Sequence, residues 1–424
     1  MKLNRIKIEG FRNIDECEIY FSNIMTSLVS ENSYGKSNLM KAIDFAVDFI
    51  HSNPSQKNQM MSWKRGIPLN KNNENRDFKV DFSLETTFQE EQYEVNYSFS
   101  FVWIKNKGGQ KINGEWLKVR KINGGKKFSN LIQRGERSLY KSSPNGRCSH
   151  VIKISDSELI LNKLLNYDEL YYMSIIQEIN SMSVYVERHF DTSDVYQKHP
   201  IILKSEENFI DFNDMPKMLF RLKKSYRSKY ELLTNAFMQL FSNITAIDVE
   251  EIDISNRKFT ISDDTPYTIS NKVYSIMVQD KNLNQPIDFL SMSDGAKRVF
   301  LMLTYAVVAD IANMTLIAFE EPENSIHPSL LQGYLRVLSQ LAGDCRILVS
   351  SHSPYIIDYV PTEDIYIGKP NSYGLAEFSK VDSSKIKRLE KDAFEGHVSV
   401  GSYIFELLSG GEDEVELLNT YLEK

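Results

Sequence analysis

The sequence predicts an α/β fold that combines a layer of parallel strands, a set of antiparallel strands and a mostly helical insertion. From 288 to 360 the chain alternates between helical spacing and short buried strands, an order that favours a parallel layer. Residues 25–50 give the order strand, loop, helix, because an apolar run at Met25–Val29 ends in a Ser/Asn/Gly loop before apolar residues recur three and four apart. Residues 78–104 alternate in polarity, as antiparallel strands with one covered face do.

The remaining segments are assigned by the same patterns. In chain order we expect strands at 2–8 and 15–21, a loop at 51–76, weak strands within 105–150, helices at 156–182 and 214–243, strand-like pieces at 246–280, and a tail at 371–424 that ends in a helix. The helical stretch interrupts the two halves of the α/β core, so we interpret it as an insertion.

Composition excludes several classes of protein. A chain of 424 residues with 42% apolar residues has room for two or three domains. With 50 Lys and Arg against 57 Asp and Glu the net charge is −7, which excludes a generally basic nucleic-acid coat. Three cysteines without a CxxC pair exclude a disulfide scaffold and a cysteine-rich zinc site. These features, and the absence of an apolar leader in the first residues, predict a cytoplasmic protein.

One apolar stretch, 299–319, could be taken for a membrane span, since Asp310 is its single charge. The charge lies at the middle of the stretch, and the residue types change there. The first half is typical of a buried helix and the second half of a short buried strand. We therefore expect no contact with a membrane.

Residues 30–37, SENSYGKS, follow the strand at 25–29 and precede the helix. They match the phosphate-binding pattern G-x-x-x-x-G-K-[ST] except at its first glycine, which is Ser30. In such a loop, backbone N–H groups and the helix N-terminus point at phosphates. Lys36 would neutralise the β- and γ-phosphates, and the Ser37 hydroxyl would bind Mg²⁺.

A pair of carboxylates follows a second buried strand, in TLIAFEEPE at 315–323. Like charges side by side repel, so such a pair at a strand end favours a cation nearby. We predict that Glu320 holds Mg²⁺, through water, and that Glu321 orients or deprotonates the attacking water. Two solvated acids at a strand end are the alternative.

Two further motifs are weak when taken alone. Ser293 and Gly295 in LSMSDGAKR stand at a helix N-terminus, where an anion-binding loop and an ordinary Ser/Asp cap give the same pattern. His352 in SSHSP follows a buried strand and could donate to a phosphate oxygen, although a single histidine is more often structural. The order of the four motifs, each at the loop end of a strand or helix, is what makes them significant.

This set of motifs resembles the ABC-type ATPase heads of the SMC/RecF/OLD class, whose bacterial members are often described as AAA-family ATPases. The resemblance is specific over about 1–50 and 285–360, and it implies an ABC-ATPase-like P-loop head with mixed and antiparallel sheets. The implied parts are the N-terminal part of the head at 1–150, a helical insertion or short arm at 151–284, the C-terminal part of the head at 285–370 and a tail at 371–424.

The resemblance implies a role for each matching residue. Glu321 and His352 would be catalytic, and Ser37 and Glu320 would bind the metal. The nucleotide would contact Arg12, in the N-terminal strand pair IEGFRNI, together with Ser30, Asn32, Ser33, Tyr34, Gly35, Lys36, Ser37, Asn38, Ser293 and Gly295.

The sequence departs from the pattern of the class in three ways. Ser30 and Ser33 replace glycines, which predicts a stiffer loop or weaker nucleotide binding. Glu320 stands where Asp is more usual. For the glutamine of the Q-loop, Gln56 and Gln59 are both candidates.

The resemblance also implies ATP and Mg²⁺ as cofactors and a homodimer or higher homo-oligomer. Each ATP would lie between the phosphate loop of one subunit and the Ser293 loop of the other. ATP would join two heads, and hydrolysis would release them. A monomeric P-loop NTPase is the alternative, but in a monomer the Ser293-Asp294-Gly295 loop would have no role in binding ATP.

We interpret the chain as the sensor or scaffold of an anti-phage defence system that works with a separate effector protein, a nuclease or a toxin. The 72 residues after His352 are too few for the nuclease domain that OLD-type proteins carry there, and the insertion is too short for an SMC coiled coil. A RecF- or SMC-like DNA repair ATPase and a non-hydrolysing, ATP-clasped interaction module remain alternatives.

Two surfaces could bind partners. The first is a basic run on the insertion that could contact DNA, although a solvated helix face is the commoner explanation of such a run; its residues are Arg221, Lys223, Lys224, Arg227 and Lys229. The second is the apolar face of the tail, which could bind a partner but is better explained by packing against the head.

Overall fold

A computed structural model describes the chain over 1–32, 34–62, 68–73, 76–103, 111–125, 127–167, 169–187, 193–197, 201–203, 212–255, 267–371 and 373–423. It divides into two compact units. The first unit comprises Met1–Glu187, Asn313–Pro322 and Asp344–Lys424, and the second comprises Arg188–Ala312 and Glu323–Gly343.

The structure confirms the predicted α/β class. In chain order the strands are β1 (Lys2–Phe11), β2 (Ile14–Tyr20), β3 (Met25–Val29), β4 (Phe78–Phe88), β5 (Glu91–Val102), β6 (Lys111–Lys121), β7 (Ser129–Arg134), β8 (Ser138–Tyr140), β9 (His150–Val151), β10 (Val184–Val186), β11 (Ile201–Leu203), β12 (Ile244–Asp253), β13 (Tyr267–Ile269), β14 (Lys272–Asp280), β15 (Ile287–Asp288), β16 (Leu316–Glu320), β17 (Arg346–Ser351), β18 (Ile365–Pro370) and β19 (Ala376–Lys380).

The helices follow the same numbering. They are α1 (Lys36–His51), α2 (Pro54–Met60), α3 (Ile160–Leu164), α4 (Met173–Asn180), α5 (Met215–Ser225), α6 (Arg227–Leu240), α7 (Asp294–Ile311), α8 (Pro328–Leu341), α9 (Pro354–Tyr359), α10 (Ile386–Glu395), α11 (Val400–Ser409) and α12 (Glu412–Asn419).

The first unit is built on a 14-stranded sheet with the order β10-β16-β17-β3-β18-β19-β2-β1-β4-β5-β6-β7-β8-β9. Five strands, β10, β16, β17, β3 and β18, run parallel to one another. The eight strands β2-β1-β4-β5-β6-β7-β8-β9 pair antiparallel, each with its neighbour in this order. The two parts meet where β19 pairs in parallel with β2, at Ala376 and Ile14. The carboxyl ends of β3, β16 and β17 therefore lie side by side at one edge, where open α/β sheets bind ligands.

Helix α1 is fixed to the sheet by aromatic side chains. The ring of Phe49 stacks on Phe99 and on Phe101, each at 5.0 Å between centroids. Phe45 packs against Phe78 at 5.2 Å in an edge-on arrangement, and Trp103 donates a hydrogen bond to the Gly10 carbonyl at 2.8 Å. Each aromatic pair stabilises the packing by about 0.5–1.5 kcal/mol beyond its buried area. These contacts hold the second half of α1 against the sheet, in the same unit as the phosphate loop.

Two segments of the first unit differ from the sequence-based expectation. The expected loop at 51–76 contains α2, whose first turn is stabilised by a reciprocal cap between Asn53 and Gln56 with Pro54 between them. The tail contributes β19 to the sheet before its three helices, and the sequence pattern did not predict this strand. The strand and helix that surround the phosphate loop are confirmed at β3 and α1.

The second unit contains helices α5 to α8, the three-stranded sheet β12-β14-β15 and the pair β11-β13. Helix α7 is buried on all sides from Ala296 to Ala309. The predicted helix followed by a strand is thus observed as α7 and β16, which belong to different units. None of the helices in the described residues is long and apolar enough to cross a membrane.

Candidate nucleotide-binding site

The phosphate loop turns into α1 through Gly35, whose backbone is in the left-handed region at φ 104°. A Cβ atom at this position would lie 2.6 Å from the Cβ of Ala376 and 3.3 Å from the amide of Asn13, so only glycine fits. Helix α1 then begins at Lys36, and no side chain of the described residues caps it. The first N–H groups of a helix have no partner within the helix, so this end is available to an anion.

The Lys36 side chain lies across the loop and is only 7% exposed. Its ammonium donates to the Ser30 carbonyl at 2.7 Å, to the Ser30 hydroxyl at 3.0 Å and to the Glu31 carbonyl at 3.0 Å. It also lies 3.5 Å from Nδ1 of His352. Uncharged oxygens thus solvate a buried cation at the place where phosphates would supply the negative charge.

Ser30, which replaces the first glycine of the motif, is fully buried and fits because of the neighbouring strand. A Cβ at Gly368 on β18 would come within 2.6 Å of the Phe378 ring and within 3.2 Å of the Cβ of Ser30, so glycine at this position leaves room for both side chains. The serine hydroxyl accepts from Lys36 and donates to the Glu31 carbonyl at 3.0 Å. Gly368 therefore leaves space for the side chain of Ser30, which stands where the motif has glycine. The sequence pattern did not show this pairing.

The paired carboxylates stand at the end of β16, as predicted. Glu320 is the last residue of the strand and lies opposite Ser350 of β17 in the parallel register. Glu321 has a positive φ of 49°, and its N–H donates to the Ser350 carbonyl at 2.8 Å. A positive φ is strained for a residue with a side chain, and such strain is typical of functional sites.

His352 connects the two halves of the site. Its Nε2 lies 3.3 Å from Oε1 of Glu321, and its Nδ1 lies 3.5 Å from the Lys36 ammonium. Burial and the Lys36 charge lower the pKa of His352, and they outweigh the opposite effects of the Glu321 charge and of a hydrogen bond with the Ser30 backbone. A neutral imidazole that donates from Nε2 to Glu321 and accepts at Nδ1 from Lys36 agrees with both distances.

Arg12 and two asparagines join the turn between β1 and β2 to the start of α1. Arg12 has a φ of 52°, and its Nη1 donates to Oδ1 of Asn38 at 3.2 Å. Asn38 in turn donates to Oδ1 of Asn13 at 2.8 Å. The Nε of Arg12 is buried and has no hydrogen-bond partner among the described residues. An unpaired buried donor beside a phosphate loop fits a site that is completed by an anionic ligand.

The other predicted loop residues contribute less. Asn32 is exposed and Ser37 is half-buried. Tyr34 donates to Oε2 of Glu31 at 2.9 Å, a hydrogen bond that raises the pKa of its phenol. Ser33 lies outside the described residues.

The Q-loop candidates Gln56 and Gln59 both lie on the exposed side of α2. Gln56 accepts from the Asn53 N–H at 2.9 Å, so its side chain serves the helix cap.

The predicted signature loop lies in the second unit, where Ser293 caps α7 by accepting from the Ala296 N–H at 3.3 Å. A Cβ at Gly295 would come within 2.3 Å of the Ser325 carbonyl oxygen, so the loop needs glycine for this close approach. Lys297, only 5% exposed, forms an ion pair with Asp294 at 2.9 Å. These contacts make the loop a defined structure and not only a cap.

The basic run on the insertion is largely neutralised in the structure. Lys223 pairs with Asp248, Arg227 with Glu231 and Lys229 with Asp310, while Lys224 lies over the Phe220 ring. A surface whose cations already have carboxylate partners offers little to DNA phosphates. This pairing favours the solvated helix face over the DNA-binding hypothesis.

The residues present fit ATP with Mg²⁺. The phosphate loop supplies a buried ammonium and an uncapped helix end, and Arg12 in the turn between β1 and β2 supplies an unpaired guanidinium nitrogen. Ser37 and Glu320 offer hard oxygen ligands of the kind that Mg²⁺ prefers. The described part of the chain contains no cluster of three or more His, Cys, Asp or Glu side chains arranged for a metal ion.

The fold and this site define the chain as a P-loop ATPase head. A sequence profile of the family "AAA domain, putative AbiEii toxin, Type IV TA system" matches residues 26–358. The chain belongs to this family. Protein ea59 of Escherichia phage lambda is 37% identical over 75 residues, a match that covers 17% of this chain and 14% of that relative.

Solved structures with a similar fold include two SMC heads. The SMC head bound to the C-terminal winged-helix domain of ScpA superimposes with a TM-score of 0.51 at 11% identity, covering 92% of this chain and 100% of that one. The SMC head from Thermotoga maritima gives 0.44 at 12% identity, covering 90% and 100%. The first of these shows that the chain has the fold of an SMC head.

Proposed function

We propose that the protein binds and hydrolyses ATP. The observation that carries this proposal is the chain of contacts from Lys36 through His352 to Glu321. It connects a phosphate-binding ammonium to a candidate general base at the carboxyl edge of the sheet. Lys36 holds the β- and γ-phosphates, and Arg12 reaches the nucleotide from the turn between β1 and β2. Ser37 and Glu320 would hold Mg²⁺, which would supply positive charge beside the phosphate oxygens.

Glu321 accepts the proton of the attacking water in this proposal. The neutral His352, whose Nε2 lies 3.3 Å from Oε1 of Glu321, orients that carboxylate. His352 thereby also connects the base to Lys36, so that the position of the base depends on whether the phosphate loop is occupied.

Glu321→Gln tests the reaction, because it removes the base and keeps the size of the side chain. We expect ATP to remain bound while turnover falls by roughly 10²–10⁴-fold, the range for a lost general base. Phosphate release and ATP binding are measured on the same preparation, with Glu390→Gln on the exposed face of α10 as the matched control. Near-normal turnover in Glu321→Gln would assign the base elsewhere, and Glu320 would be tested next.

We further propose a homodimer in which each ATP lies between the phosphate loop of one subunit and the Ser293 loop of its partner. Support comes from the Ser293 loop itself, which has the N–H groups of a helix start and a glycine held against the Ser325 carbonyl. ATP then joins two heads, and its hydrolysis releases them, which is differential binding between two states.

The biological role that we propose is a sensor or scaffold in anti-phage defence with a separate effector, a nuclease or a toxin. The family description names a toxin of a toxin–antitoxin system, the phage relative shares a short stretch, and an SMC head of this fold binds another protein, ScpA. Failure of the purified chain to hydrolyse ATP would favour the ATP-clasped interaction module. Stimulation of the ATPase by DNA would favour the repair ATPase.

A further inference from the structure

The first unit contains a second recess, far from the phosphate loop. It has a volume of about 690 Å³, and its walls come from β5, β6, β7 and the start of α4. Seven steps separate β3 from β6 in the strand order. At about 4.8 Å per strand, this recess is on the order of 30 Å from the ATP site along the sheet.

The charged groups of the recess are all positive. Arg120, Lys121, Lys127 and Lys141 line it, and none of its lining residues, taken from the described part of the chain, is acidic. Arg120 pairs with Glu94, and Lys121 pairs with Glu91 on the neighbouring strand. Lys127 and Lys141 therefore supply the net positive charge.

Lys141 is the most informative of these groups, because it is only 8% exposed. Its ammonium donates to the Ser129 hydroxyl at 3.1 Å and lies 6.0 Å from the centre of the Tyr171 ring. No carboxylate of the described residues lies within ion-pair distance of it. Burying an ammonium without a counter-ion costs desolvation free energy. An anion bound in the recess would offset that cost for Lys141.

The remaining wall is aromatic. Tyr171 and Tyr172 meet edge to face at 5.0 Å, and Phe88 meets Tyr93 edge to face at 5.5 Å. Burial raises the pKa of Tyr171 to about 12, so its phenol is uncharged at neutral pH and does not repel an anion. Tyr172 is fully buried, so the half-buried rings of Phe88, Tyr93 and Tyr171 are the ones that can present a face to a planar ligand.

We propose that this recess binds a nucleoside phosphate, with the base against the tyrosines and the phosphate on Lys141 and Lys127. A volume of about 690 Å³ is within the usual range for small-ligand sites. Aromatic faces beside an unneutralised ammonium select a ligand that joins a flat ring to an anion, as a nucleotide does. A free nucleotide and the terminal nucleotide of a single strand share this chemistry. The proposal is independent of ATP hydrolysis.

The test separates the recess from the phosphate loop by using the Lys36→Ala chain and ligands without β- and γ-phosphates. AMP, GMP, CMP, UMP and short 5′-phosphorylated single-stranded oligonucleotides are titrated by calorimetry. We expect saturable binding of at least one of them, weakened at least tenfold by Lys141→Met and several-fold by Lys127→Met, which changes an exposed residue and leaves the core intact. Lys111→Met, on β6 but outside the recess, is the matched control.

Binding of mononucleotides would identify a free nucleotide as the ligand, whereas binding of oligonucleotides alone would identify the end of a single strand. Affinity should also fall as salt rises, because a phosphate contact is screened. The proposal is overturned if none of these ligands binds, or if binding persists unchanged in both Lys141→Met and Lys127→Met.

Discussion

In the proposed function, Lys36 exchanges partners when a nucleotide binds. In the structure its ammonium is held by the oxygens of Ser30 and Glu31 and stands beside His352. Phosphate binding replaces these uncharged acceptors by charged ones, and charge-assisted hydrogen bonds are roughly twice as strong. The gain in affinity is therefore the difference between two sets of hydrogen bonds, and not the full strength of one set.

Lys36→Ala removes this exchange. We expect the affinity for ATP to fall by well over tenfold, about 1.4 kcal/mol or more. Lys41→Ala, one turn further along α1 and facing away from the loop motif, is the matched control and should bind like the wild type. A titration with a fluorescent ATP analogue measures both, and unchanged affinity in Lys36→Ala would refute the phosphate-loop assignment.

At the scale of single residues, the sequence motif placed Gly35, Lys36, Glu321 and His352 correctly at one edge of the sheet. It did not reveal Gly368, because this glycine acts across the strand pair β3-β18 and is more than 300 positions away from the serine that it accommodates. Pairing between distant strands is not encoded in local spacing.

Helix α3 shows how an element can be stabilised from outside itself. Its N-cap residue, Leu159, has no capping group, and the carboxylate of Glu115 on β6 takes this place. Glu115 accepts from the Ile160 N–H at 2.5 Å and from the Leu161 N–H at 2.9 Å, with the Tyr97 hydroxyl at 3.1 Å. The group that caps α3 comes from a strand more than forty positions earlier, so no local sequence pattern predicts it.

Burial raises the pKa of Glu115 to about 6, despite the two N–H donors and the Arg134 charge that oppose this shift. A folded-state pKa above the unfolded value means that the folded protein binds the proton more tightly. The stabilisation from this group is present at low pH and is lost as pH rises to about 6. Relative to Glu115→Gln, the free energy of unfolding should fall by about 2 kcal/mol between pH 4.5 and 7.

Urea unfolding of both proteins across this pH range measures the difference. Glu91→Gln, an exposed change on β5, controls for the general effect of removing a carboxylate. A difference between wild type and Glu115→Gln that does not vary with pH would contradict the assignment.

Among the elements, periodicity predicted the strands and helices that surround the ATP site but missed short or context-dependent ones. Helix α2 was missed because its cap, Asn53-Pro54, was interpreted as part of a polar loop. Strand β10, within a region of helical pattern, has three residues and forms because β16 offers it an open edge. The surrounding sheet, and not the propensity of the segment, decides such cases.

At the scale of the whole molecule, Ser293→Arg tests the proposed shared site. The arginine would stand where the partner's γ-phosphate is approached, so ATP should still bind while hydrolysis is lost. Mixing this variant with Lys36→Ala restores one intact composite site in each mixed dimer. Random assortment of equal amounts of the two variants would return about a quarter of wild-type turnover.

Ser181→Arg, at the exposed end of α4, is the matched control. Full ATPase activity of Ser293→Arg alone would refute the shared site.

Strand β3 lies between β17 and β18 in the sheet, although both follow it by more than three hundred residues. The Asn23 carbonyl, just before β3, accepts from Arg346 at the start of β17, 323 positions later. At about 5–20 residues per second, a ribosome needs roughly 15–65 s to make the partners of β3. During this time β3 has two unpaired edges, and the phosphate loop has no carboxylate pair opposite it. A nascent chain therefore cannot assemble its ATP site until β16 and β17 have emerged, and in that interval its exposed strand edges are open to chaperones or to misassembly.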